Sequence, residues 1–155
     1  MDLNKIYNDR IFCHWYNDKV PERAIIDQVA KNLYKTPSKN GWYNWRCKIL
    51  KNDDAELKDK IYKLSFRQRH FGTEANAIAQ MREKLDSGLR PVGPYNTQLL
   101  APYLLIFTNH DPRKRQPKVD DIEIGMAVWN AITTAVSLGL ATSLCDCFYR
   151  ERLEE

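Results

Sequence analysis

No stretch of this chain approaches the roughly 18 apolar residues of a membrane span, and its most apolar helical segment is interrupted by Asn130 and two threonines. The start, Met1-Asp-Leu-Asn-Lys-Ile-Tyr7, lacks the basic opening and apolar core of a signal peptide. Cysteines number only four, and without a secretion signal they are expected to be reduced thiols in a cytoplasmic protein. There is no internal repeat, low-complexity tract or linker, so residues 1–155 read as a single domain. Neither sign of charge dominates. The formal net charge of +4 suits an anionic cofactor or substrate and does not by itself argue for nucleic acid. No catalytic dyad stands out.

What is present is ordinary globular material. With 155 residues, 43% of them hydrophobic and 28% charged, the chain can bury a real core. Pro21-Glu22 is expected to open a helix, because proline suits the first helical position and glutamate the positive end. Ile25, Val29 and Leu33 form its apolar stripe, and Thr36-Pro37 ends it near Lys35. Asn44 to Leu50 reads as a strand with basic residues on one side. Asp53 to Leu64 reads as a helix, and Thr73 starts another that Gly88 ends. Leu99 to Thr108 is an almost continuous apolar run, as in a strand buried on both faces. Asn109 to Lys118 is a polar surface loop. The last helix runs from about Val119 to Leu138 with Gly139 at its C-cap, and a short strand follows. Helices alternating with a few strands predict a mixed sheet covered by helices, an α+β fold. The last helix, rich in small and apolar residues, is a central helix or a subunit interface.

Three stretches carry possible chemistry. In Thr36-Pro37-Ser38-Lys39-Asn40-Gly41 proline fixes a turn, Ser38 offers a hydroxyl and Asn40 an amide, and Gly41 allows a positive φ. By spacing alone this is also an ordinary turn. Arg10-Ile-Phe-Cys-His14-Trp-Tyr16-Asn-Asp-Lys-Val-Pro-Glu22 supplies a guanidinium and an imidazole; read plainly, these are a surface cation and a half-buried aromatic neighbour. Gln98-Leu-Leu-Ala-Pro-Tyr-Leu-Leu-Ile-Phe107 leads through the loop to Ile122-Glu-Ile-Gly-Met126, Gly139-Leu140 and Cys145-Asp146. Here Gly125 suits close helix packing and Leu140 a core position.

Taken in order, these stretches resemble the nitroreductase-like flavoprotein family. The turn and Trp45-Arg-Cys-Lys-Ile-Leu50 are similar to the family's Pro-Ser turn, its asparagine and its aromatic-containing strand, with Asn40 one residue early and Gly41 where the asparagine usually stands. The Arg10 segment is similar to the family's Arg-Arg-Ser-x-Arg-x-Phe opening, in which Ile11 replaces an arginine, Phe12 the serine and His14 the later arginine. Ala101-Pro102 resembles the Ala-Pro strand, Ile122 to Met126 the dimer-forming helix, and Gly139-Leu140 the Gly-Leu that ends it.

The resemblance implies a nitroreductase-like mixed sheet flanked by helices, with a long central helix at a homodimer interface and FMN between the subunits. It implies an NAD(P)H-dependent oxidoreductase that reduces nitroaromatics, quinones or similar small electron-poor acceptors by ping-pong hydride transfer through flavin N5. No side chain is needed as acid or base. Arg10 and His14 are expected at the phosphate, Pro37, Ser38, Asn40 and Gly41 at the ring or ribityl chain, and the Cys145–Asp146 backbone near N5. Ending at Glu155, the chain is expected to lack the family's usual C-terminal strand and extension. That leaves open a flavin-free or degenerate dimeric binding module, or a dehalogenase or flavin-fragmenting relative whose substrate cover would lie in Lys60 to Pro94, with Tyr62, Phe66, Arg67 and Phe71.

Two further groupings receive plainer readings. Cys145-x-Cys147 with Cys13-His14 does not have zinc-knuckle spacing, so buried thiols and no metal are expected. The basic clusters Arg67-Gln-Arg69-His70 and Arg113-Lys-Arg115 read as solvated surface rather than nucleic-acid contacts. No membrane partner is expected.

Overall fold

The computed structural model describes residues 2–13, 16, 19–51, 54–64, 77–88, 97–110 and 116–148. They fall into two compact units. The first is Met1–Cys13, Lys19–Lys48 and Leu105–Thr142; the second is His14–Asp18, Ile49–Leu104 and Ser143–Glu155.

The first unit is built around the long helix α5 (Pro117–Ser137). It begins two residues before the sequence pattern predicts, because Pro117 is tolerated in the first turn, where its missing N–H costs nothing. It ends in a Schellman arrangement: Gly139, at φ 79°, donates to Val136 O, and Leu140 donates to Ala135 O. Ala127, Ala131 and Ala135 recur every fourth residue and form one buried stripe. Their small side chains let Val29, Leu33 and Trp45 approach and form a single core with them.

Helix α1 (Leu3–Asp9) was not legible as a helix; Asp2 caps it by accepting from Asn4 N at 2.9 Å. Its one buried residue, Ile6, packs on Ile132 and Val136 of α5. Helix α2 (Arg23–Leu33) starts after Glu22, which serves as its N-cap, so Pro21 lies outside it. Its buried stripe is Ile26, Val29 and Leu33, with Ile25 half-buried at the edge. Burying each such side chain contributes roughly 1.5–3 kcal/mol. Asn130 of α5 ties the two helices by donating to Asn32 O at 2.8 Å.

Strand β1 (Trp45–Leu50) pairs with β2 (Leu104–Asn109). His110 N donates to Asn44 O, which sets an antiparallel register. Trp45 and Cys47 of β1, with Leu105 and Phe107 of β2, face the α5 core. Arg46 and Lys48 alternate with them and are exposed, as the basic side of the strand predicts. The apolar run from Leu99 is not one strand. Thr97–Leu100 is a 3-10 turn, Pro102 then interrupts the backbone pattern, and β2 starts only at Leu104.

In the second unit α3 (Ala55–Lys63) packs on α4 (Ala77–Asp86), and α4 contacts the Thr97–Leu100 turn. Lys58 is buried and donates to Ala101 O at 2.8 Å. No described helix is long and apolar enough to cross a membrane.

Candidate functional site

The turn between α2 and β1 is the most constrained backbone described. Thr36 leaves the helix with its hydroxyl on Leu33 O at 2.8 Å, and Pro37 prevents any further helical turn. Asn40, Gly41 and Tyr43 then all have positive φ, at 56°, 66° and 45°. For a residue with a side chain this costs about 1–2 kcal/mol, and a bulky tyrosine is an unusual occupant. Backbone strain held at one place marks a candidate site.

Two buried carboxylates on the first turns of α5 hold the strain in place. Glu123 accepts from the Ser38 hydroxyl at 3.0 Å and from Lys39 N at 2.6 Å. Asp120 accepts from Asn44 Nδ2 at 3.2 Å and from Gln116 N at 2.9 Å, so it also ties the helix start. Both carboxylates are 5% exposed or less. Burying them is tolerable only because these donors replace water. Ser38 Oγ in turn accepts from Tyr43 N at 2.8 Å, and the Tyr43 hydroxyl donates to Tyr34 O at 2.9 Å. The Lys39 ammonium reaches Gln116 Oε1 at 2.8 Å.

Behind the turn stands an aromatic wall. Tyr34 stacks on Trp45 with ring centres 5.1 Å apart, Tyr43 meets both edge-on, and Phe107 lies 5.9 Å from Trp45. The inner side of the turn is therefore fixed, while Pro37, Asn40, Gly41 and Trp42 are exposed on its outer side. Ser38 is half-buried between them. Burial in the same core pushes the Cys47 thiol up to about 12, so it is an inert neighbour and no nucleophile.

Arg10 packs against another part of α5. It caps α1 with its guanidinium 5.6 Å from the centre of the Trp129 ring, and Tyr7 stacks against that ring at 6.1 Å. The guanidinium has no hydrogen-bond acceptor among the described residues. Trp129 follows Glu123 by six positions, roughly 240° around the helix and about 9 Å along it. One chain thus presents Ser38 and Arg10 on different faces of α5. The outward face of α5 carries Ile122, 63% exposed, and Trp129, 42% exposed. Between them a Cβ added at Gly125 would meet nothing within 4 Å.

The structure thus brings Pro37, Ser38, Asn40 and Gly41 into one turn and keeps Arg10 apart from it. His14 lies outside the described residues, as do Phe66, Arg67, Phe71 and both basic clusters. Cys145 and Asp146 belong to the second unit, half-buried and exposed respectively. They follow Ser143 and Leu144, which Gln98 Nε2 holds by donating to Ser143 Oγ and, at 2.9 Å, to Leu144 O. The cysteines are thiols, and among the described residues no three His, Cys, Asp or Glu side chains cluster to hold a metal.

Sequence reasoning missed Glu123, Asp120, Tyr43 and Trp129. For Glu123 a signal existed: it stands four residues before Ala127 on the stripe that becomes the core, where an acid needs a partner. The left-handed Tyr43 carried none.

A family model described as the Nitroreductase family matches residues 9–155. No protein of curated function matches the sequence. Among solved structures, a nitroreductase with bound FMN from Desulfitobacterium hafniense DCB-2 is 18% identical, with a TM-score of 0.64 over 94% of this chain and 71% of that one. The nitroreductase NfnB from Mycobacterium smegmatis, in complex with NADPH, is 11% identical, with a TM-score of 0.62 over 90% and 72%. An iodotyrosine deiodinase bound to FMN and 3-iodo-L-tyrosine is 15% identical, with a TM-score of 0.66 over 99% and 79%. At these identities the likeness is one of fold.

Proposed function

This chain belongs to the nitroreductase family, and from that premise we propose that it is an FMN-dependent oxidoreductase that takes hydride from NADH or NADPH and passes it to a small electron-poor acceptor such as a nitroaromatic or a quinone. The observation that carries the reading is the strained turn from Ser38 to Tyr43, clamped on α5 by Glu123 with its outer side left open. When bound, FMN supplies a ring that accepts and returns a hydride at N5.

The residues present fit that cofactor. Arg10 has guanidinium donors not engaged by any described acceptor, the arrangement a phosphate needs. Ser38 keeps one lone pair, and the exposed Asn40 amide offers both a donor and an acceptor, which suits the polar edge of a flavin ring. Pro37 and Gly41 shape the turn.

Because Arg10 and Ser38 occupy different faces of α5, one flavin meeting both is most simply shared between two chains. The open strip at Ile122, Gly125 and Trp129 supports a homodimer through α5. The protein works in the cytoplasm in this reading. The test is anaerobic mixing of the FMN-loaded protein with NADH and with NADPH. Loss of the flavin's visible absorbance, restored by a nitroaromatic or quinone, is expected; a bound flavin that neither nucleotide reduces refutes the function.

A further inference from the structure

The hydrogen bonds around Ser38 leave it only one thing to offer a ligand. A serine hydroxyl has one donor and two acceptor sites. Its donor goes to Glu123 Oε2 at 3.0 Å. One acceptor site is taken by Tyr43 N at 2.8 Å. The other remains, on a half-buried residue whose neighbours Pro37, Asn40, Gly41 and Trp42 are exposed. The hydroxyl cannot rotate to donate outward without leaving Glu123 a buried, less satisfied oxygen.

We propose that Glu123 is a positioning residue that fixes Ser38 as a hydrogen-bond acceptor, so that the turn takes a ring N–H of the bound flavin at this point and rejects a ring carbonyl. The inference rests on the reading that this turn holds the flavin, and it names the group recognised: the N3–H of the pyrimidine edge. A serine at a surface turn without the acid behind it would accept either group. The charged groups facing the turn are Glu123 and Asp120 from α5 and Lys39 of the turn itself, whose ammonium is directed to Gln116. The α2 side contributes the Tyr34 and Thr36 carbonyls, which bind the Tyr43 hydroxyl.

Glu123→Gln tests the assignment because its orientation is dictated. Lys39 N–H requires an acceptor, so the amide oxygen faces Lys39 and the amide nitrogen faces Ser38. Ser38 then accepts from the amide, and its own proton is released toward the ligand. The experiment is an alkaline titration of FMN bound to wild type, to Glu123→Gln and to Ser38→Ala. The pH at which the bound ring loses its N3 proton is read from absorbance, and gel filtration at the same pH establishes that the flavin is still held.

An acceptor stabilises the protonated ring, so the wild-type value is expected above that of free FMN. Glu123→Gln should lower it by about one pH unit, the size of one hydrogen bond changing direction. A wild-type value at or below that of free FMN overturns the proposal, as does a Glu123→Gln complex that titrates like wild type. Ser38→Ala must also lower the value, and this decides the matter if Glu123→Gln does not fold; an unchanged value overturns the proposal. Failure of the wild type to take up FMN is a different result, which removes the cofactor reading on which the proposal stands.

Discussion

Arg10 lies over the face of Trp129, 5.6 Å from the ring centre, and this contact fixes on which side of α5 the chain presents its strongest candidate anion ligand. Six positions earlier, Glu123 faces inward and grips the Ser38 turn. One helix therefore organises the core, the strained turn and the guanidinium.

If that guanidinium holds the FMN phosphate, Arg10→Ala should weaken FMN binding about 10–100-fold, the loss of charge-assisted hydrogen bonds. Arg10→Lys should recover part of it, since an ammonium keeps the charge and loses the fork. Fluorescence titration of FMN checks both. Equal affinities for wild type and Arg10→Ala would remove Arg10 from the site.

The open strip on α5 makes a prediction about assembly. Ile122→Glu combined with Gly125→Arg disturbs no described contact at Gly125 within the chain. It should leave the fold intact by circular dichroism and give a monomer by light scattering. A dimer that survives the double change would place the interface elsewhere. Gly125→Ala alone should raise helix propensity by about 1 kcal/mol in an isolated chain.

Asp120 anchors two segments from a buried position. Asp120→Ala leaves Gln116 N and the Asn44 amide without their acceptor. Urea unfolding should show a loss of about 1–3 kcal/mol. A loss close to zero would mean that water replaces the carboxylate and that the clamp is dispensable.

Cys47 gives stability a pH dependence of known sign. Its thiol is raised from 9.0 to about 12 by burial. Below pH 9 both folded and unfolded thiols are neutral, and the contribution is fully present. Between pH 9 and about 12 the unfolded thiol ionises first, so stability is lost as pH rises. Denaturation at pH 8 and pH 10.5 should show a smaller alkaline loss in Cys47→Ala than in wild type, and identical losses would contradict the assignment.

Much of the frame was legible because it rests on local chemistry. The Thr36-Pro37 stop, the alternation of Trp45, Arg46, Cys47 and Lys48, and the Gly139 terminus all follow from residue type and spacing. The start of α2 was misplaced by two residues because proline is tolerated before a helix as well as within its first turn. The run at Leu99 misled because apolarity says nothing of period, and Pro102 divides it.

The candidate site was only half legible. The turn was visible from Pro37, Ser38 and Gly41. Its clamp was not, because Glu123 lies 85 positions from Ser38 and only the fold brings them together. The separation of Arg10 from the turn is likewise a property of the α5 helix, since no local pattern records which face a distant residue meets.

The most direct test of the account is gel filtration of the purified protein with added FMN, followed by light scattering and absorbance. The account predicts flavin co-eluting with protein at the mass of two chains, with its visible spectrum shifted from that of free FMN. Flavin that elutes alone, with an unperturbed spectrum, would contradict it.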